Sequence, residues 1–154
     1  MLIVPVACGL PVPEINRSVL VGYTPDQMYA LVDAVEDYPR FLPWCGGSSV
    51  LHRDEGITRA SILIDYRGIR QSFTTENTKN APSEMLIRLV EGPFRSLEGS
   101  WRFTGLGGRG CKVELMLRYE FSSRILEKLI GPVFNHIANT LVDAFARRAE
   151  QVYG

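Results

Sequence analysis

The amino-acid sequence predicts an α+β fold: a curved antiparallel sheet of about six to seven strands around a long C-terminal helix, with a short helix pair after the first strand. Three observations predict it. The apolar period is two through most of residues 46–121, the breaks in that stretch are short turns, and residues 122–154 carry one broad apolar stripe at helical spacing. Connections of that length make hairpins and leave no room for crossover helices, so the strands must be antiparallel.

The elements follow in order. "EINRSVLVGY" at 14–23 alternates and is rich in β-branched residues, which predicts a strand. "TPDQ" then starts a helix, with Thr24 as N-cap, Pro25 at the first helical position and Gln27 where a capping box needs it. Met28, Leu31, Val32 and Val35 form its apolar face. "EDYPRFLPWC" at 36–45 interrupts it, because Pro39 and Pro43 remove donors and restrict the residues before them, so at most a short second helix fits.

Six strands are predicted next, at 48–54, 58–67, 70–78, 84–91, 95–104 and 111–121. One face carries Ile62, Ile64, Tyr66, Phe73, Thr75, Met85, Ile87, Leu89, Leu97, Trp101, Phe103, Val113, Leu115, Leu117 and Tyr119. The other carries Arg59, Asp65, Arg67, Arg70, Glu76, Arg88, Glu98, Arg102, Lys112, Glu114 and Arg118. One face is covered and the other wet. The cover is the final helix, capped by Ser122 or Ser123, whose stripe is Val133, Phe134, Ile137, Ala138, Leu141, Val142 and Phe145. Gly131-Pro132 is expected to kink or divide it.

The length of 154 residues suits one domain, read as 14–154 after a loose tail over 1–13. The 17 basic and 17 acidic residues cancel, which argues against DNA as a partner. The tilt along the chain is mild: residues 102–154 hold 8 basic against 5 acidic side chains. Cys8, Cys45 and Cys111 have neither disulfide parity nor zinc spacing, so a reducing, cytoplasmic setting is expected. No stretch approaches the ~18 apolar residues of a membrane span.

Catalytic patterns are scarce. His52 and His136 lack a second ligand at metal spacing and read as surface residues. Cys45, beside Trp44 and far from either histidine in sequence, reads as a buried, unreactive thiol. "GLGGRG" at 105–110 lies between two strands with no helix to receive phosphate, so it reads as a hairpin loop. Asp65 and Glu98 fall on the wet face. Arg148 falls near the apolar stripe, where it either snorkels, pairs with a strand carboxylate or anchors a ligand inside a cavity. What the sequence has most of is aromatic side chains directed between sheet and helix.

Three stretches, "VEDYPRFLPWCGGSSV" at 35–50, "EGPFRSLEGSWRF" at 91–103 and "LVDAFARRAEQVYG" at 141–154, resemble the START-like polyketide (oligoketide) cyclase/dehydrase family. That family includes the mitochondrial coenzyme Q-binding chaperone and the bacterial ribosome-association toxin RatA. The resemblance covers about residues 14–154 and implies a helix-grip fold, with a hydrophobic cavity under the last helix and the 38–45 loop at its mouth. It implies a non-catalytic binder of a polyprenyl quinone such as ubiquinone, needing no cofactor, cytoplasmic or peripheral to the inner membrane. The ligand-binding residues then expected are Tyr38, Phe41, Pro43 and Trp44 at the mouth and Ile64, Tyr66, Phe73, Ile87, Phe94, Leu97, Trp101, Leu115, Phe134, Ile137, Leu141, Phe145 and Arg148 around the wall. For the toxin it implies a ribosomal subunit as partner, for which Arg102, Arg109, Lys112 and Arg118 are candidate contacts. The cyclase label implies an aromatase-like enzyme as a third class.

Overall fold

In a computed structural model, which describes residues 14–108 and 110–154, seven strands form one sheet in the order β1-β7-β6-β5-β4-β3-β2, with every neighbouring pair antiparallel. The strands are β1 (Glu14–Val21), β2 (Cys45–Arg53), β3 (Ile57–Tyr66), β4 (Ile69–Asn80), β5 (Glu84–Glu91), β6 (Phe94–Gly105) and β7 (Cys111–Phe121). Helix α1 (Pro25–Asp33), a 3-10 turn (Val35–Asp37) and the one-turn helix α2 (Tyr38–Phe41) connect the two edge strands β1 and β2. Helix α3 (Arg124–Tyr153) lies across the covered face of the sheet. The predicted tail over 1–13, Cys8 included, and Arg109 lie outside the described residues.

The local signals act as their chemistry requires. Thr24 Oγ1 accepts from the Gln27 amide at 3.2 Å, and the Gln27 side chain accepts from the Thr24 amide at 2.9 Å, closing the capping box of α1. Ser123, rather than Ser122, caps α3 by accepting from the Leu126 amide at 3.2 Å. The β3–β4 turn needs two left-handed residues in succession, and Arg67 (φ 51°) and Gly68 (φ 81°) supply them.

Pro132 does not divide the last helix as one form of the expectation had it, since α3 runs unbroken through it. The proline removes only the hydrogen bond to the Lys128 carbonyl. Ile130, Gly131, Val133 and Phe134 are buried on either side, so core packing holds the helix together across the missing bond.

Four register shifts bend the sheet into a trough, at Gly46, Leu51, Val90 and Arg95. The extra residue at Arg95 also turns Phe94 to the inside, although its parity opposes that of Leu97 and Trp101. At Gly99 a side chain has no room, because a Cβ would lie 2.2 Å from the Met116 carbonyl oxygen of β7.

The outer face is a mesh of alternating charges. Cross-strand partners place Arg59 beside Glu76, Glu76 beside Arg88, Arg88 beside Glu98, Glu98 beside Arg118 and Arg118 beside Glu14. Glu76 bridges Arg59 at 2.6 Å and Arg88 at 2.8 Å. The inner face is apolar and aromatic, and α3 closes over it with Phe134, Ile137, Val142 and Phe145.

Candidate functional site

The interdigitation of trough and helix stops short of filling the space. A cavity of about 80 Å3 remains beneath α3. Ten of the expected residues line it: Tyr38, Trp44, Phe73, Ile87, Leu97, Trp101, Leu115, Phe134, Ile137 and Leu141. Ile62, Thr75, Asn77, Leu117 and Ala138 complete the lining. Strand parity and helix phase were sufficient signals for all five, and Asn77 shares its parity with Phe73 and Thr75. The volume is well below the ~300–1,000 Å3 of pockets that enclose drug-sized ligands.

Beyond Trp44 lies a second hollow. A surface groove of about 260 Å3 runs between the 42–44 loop and α3, lined by Leu42, Pro43, Trp44, Tyr66, His136, Thr140, Ala144 and Arg147. The Trp44 indole is 6% exposed and lines both spaces, so one side chain is a shared wall between them. Cavity and groove together pass the lower end of the usual pocket range.

The loop carrying Trp44 is built as a packed lid. Tyr38 donates its hydroxyl to the Val32 carbonyl, Leu42 is 1% exposed, and the Trp44 carbonyl accepts from the Asp65 amide at 2.8 Å. Ser48 donates to the Val35 carbonyl at 2.8 Å, which ties the 3-10 turn to β2. Burial pushes the Tyr38 hydroxyl and the Cys45 thiol above their ordinary pKa values, so both are protonated at neutral pH.

The structure separates the remaining expected residues from the cavity. Pro43 and Tyr66 line the outer groove instead. Phe145 is fully buried and meets Tyr38, Phe41 and Trp101 edge-on at centroid distances of 5.4, 5.3 and 5.3 Å, so it is spent on packing. Phe41 takes the Arg148 guanidinium over its ring at 4.9 Å, which draws the Arg148 charge away from the cavity. Phe94 belongs to a second aromatic cluster with Phe121 and Phe134, and Ile64 packs in the core beside Cys45.

Polarity rises along the inner face of β4. From Phe73 it passes to Thr75, to Asn77, whose Oδ1 is buried with no hydrogen-bond partner, and to Lys79. The Lys79 ammonium, 6% exposed, meets Asp33 Oδ2 at 3.3 Å, while Thr58 donates to Asp33 Oδ1 at 2.9 Å. Beside them Arg53 grips Glu36 at 2.7 and 2.9 Å and holds that carboxyl down at about 2. This network anchors α1 and the turn after it, on the closed side of the fold.

Three of the four candidate ribosome contacts pair within the sheet: Arg102 meets Glu84 at 3.2 Å, Lys112 meets Glu114 at 3.7 Å and Arg118 meets Glu14 at 3.6 Å. His52 pairs with Asp54 at 2.8 Å, and His136 stacks on Tyr66 with centroids 5.9 Å apart. Among the described residues, no three His, Cys, Asp or Glu side chains stand close enough to hold a metal ion, and no helix is long and apolar enough to cross a membrane.

Comparison with known proteins places this geometry. Residues 21–146 match the family model described as polyketide cyclase / dehydrase and lipid transport. The ribosome association toxin RatA of Vibrio cholerae is 45% identical over 141 residues, covering 92% of this chain and 98% of that protein. The mitochondrial coenzyme Q-binding protein COQ10 homolog B of Xenopus laevis is 30% identical, covering 92% of this chain and 59% of that one. A START superfamily protein of Mycobacterium smegmatis shares the fold, with a TM-score of 0.73 at 21% identity, over 90% of this chain and 98% of that one.

Proposed function

This chain belongs to the polyketide cyclase / dehydrase and lipid transport family, and we propose that within it the protein binds an isoprenoid quinone such as ubiquinone without turning it over. The ring enters the cavity and the prenyl tail leaves past Trp44 through the groove, so the protein carries quinone in support of respiratory electron transport. The observation behind this reading is the shared Trp44 wall: an apolar inner cavity and an outer groove one indole apart. The relative named as a coenzyme Q-binding protein supports the ligand class. Because the inner cavity holds only about 80 Å3, binding requires the indole to swing aside and the two spaces to merge. Apolar burial at ~25 cal/mol per Å2 drives the tail out of water. No cofactor takes part, and the protein works in the cytoplasm and at the inner-membrane surface.

Organic extraction of the purified protein followed by mass spectrometry is expected to release a quinone, and a short-chain ubiquinone is expected to quench the fluorescence of Trp44 and Trp101. Trp44→Ala, which opens the wall permanently, is expected to speed both uptake and release. An extract without lipid, together with unchanged fluorescence, sinks the proposal.

The ribosomal reading has its own support, the 45% identity to a protein named for ribosome association over nearly its whole length. Under it the protein holds a ribosomal subunit and blocks pairing. Sucrose-gradient profiles of ribosomes with and without the protein test it, and unchanged subunit pairing excludes it. The cyclase or aromatase reading is supported by the family description.

A further inference from the structure

The cations of this protein fall into two groups. Those of the sheet, Arg17 of β1 apart, are paired with carboxylates, as the outer mesh shows. Among the described residues, Arg17, Arg67, Arg124, Lys128, Arg147 and Arg148 form no ion pair. Four of these lie on α3. Arg67 sits 5.0 Å from the centroid of Tyr66, which stacks on His136 of the same helix.

The same helix leaves aliphatic side chains in water. Ile125 is 72% exposed and Leu129, one turn on, is 58% exposed, with Arg124 and Lys128 beside them. At helical spacing their stripe continues through Pro132 and His136 to Arg147, on the side opposite buried Phe134 and Phe145. His136 and Arg147 line the outer groove, so the stripe ends at the mouth. Between Ile125 and Arg147 the stripe carries one carboxylate, Asp143, and Glu150 follows at the same phase beyond Arg147.

We propose that this outward stripe of α3 docks on an anionic phospholipid bilayer, with Ile125 and Leu129 in the headgroup–acyl boundary, Arg124 and Lys128 on lipid phosphates, and the groove mouth turned to the membrane. Free cations flanking exposed aliphatic residues are the pattern of an interfacial helix. Phosphates of RNA match the cations equally well but leave Ile125 and Leu129 without an apolar environment, whereas a bilayer satisfies both. The proposal rests on the quinone-binding reading for its purpose: a ligand released past Trp44 passes directly between water-excluding surfaces.

Flotation with phosphatidylcholine vesicles, with and without phosphatidylglycerol, tests it. Binding is expected to need phosphatidylglycerol and to weaken with salt. Arg124→Gln with Lys128→Gln should lower vesicle affinity about 25-fold, at roughly fivefold per cation. Ile125→Ser with Leu129→Ser should lower it comparably in low salt. Both double variants should still bind a short-chain ubiquinone in vesicle-free solution with wild-type affinity. Failure to float, or flotation indifferent to the four substitutions, overturns the docking surface while retained quinone binding leaves the earlier reading intact. Absence of both activities overturns the two together. Co-sedimentation with ribosomal subunits that these substitutions weaken, without flotation, overturns it in favour of RNA.

Discussion

Asn77 turns its amide nitrogen to the Met85 sulfur at 3.6 Å, and this contact leaves the Asn77 Oδ1 buried without a partner. A thioether accepts but cannot donate, so the nitrogen is the end that belongs beside it. The orphaned oxygen stands on a residue of the cavity wall, which is where an unliganded binding site carries its cost.

An unpaired buried acceptor costs about 1–3 kcal/mol. Asn77→Leu, similar in size, is therefore expected to stabilise the unliganded protein by about 1 kcal/mol in urea unfolding. Hydroquinone, which can donate to Oδ1, should lose affinity for the variant. A lower unfolding free energy in Asn77→Leu contradicts this, since it means the amide is already satisfied.

Phe145 has the opposite standing. It is fully buried and is the common neighbour of Tyr38, Phe41 and Trp101, so it joins the lid to both sheet and helix. Phe145→Ala is expected to cost about 3–5 kcal/mol by denaturant midpoint and to loosen the 38–44 loop. Val152→Ala, at an exposed position of the same helix, should stay within about 0.5 kcal/mol of wild type. Equal effects would remove the special role given to Phe145.

Acid stability should depend on Glu36. Its carboxyl is lowered from 4.5 to about 2 chiefly by the Arg53 hydrogen bonds, so the folded state favours the ionised form. The contribution is present above the ordinary value and is lost as the pH falls through about 2. Glu36 is half-exposed, which holds the pair to about 1 kcal/mol at most. Glu36→Gln should flatten the fall in thermal stability between those two pH values; an unchanged slope would place the acid sensitivity elsewhere.

Much of this architecture was written in one-dimensional periodicity. Alternation separated the paired charges of the outer face from the apolar inner one, Thr24 and Gln27 marked the start of α1, and short turns imposed antiparallel pairing. These features are local, so each residue's own neighbours determine them. What alternation could not foresee was the inserted Arg95, which brings Phe94 inside, or the continuity of α3 through Pro132, where packing outweighs one lost hydrogen bond.

The sequence by itself determined the fold class, the order of elements and the face on which any ligand must sit, because backbone propensity and apolar period are properties of short segments. Only the tertiary structure decided which aromatic residues fill the interior and which leave it open. Phe145 and Trp44 are both large aromatic residues directed to the interior, yet one is locked among three rings and the other divides two hollows. That difference arises from side-chain volumes meeting across distant segments, as does the pairing that silences most of the sheet's cations while those of α3 stay free.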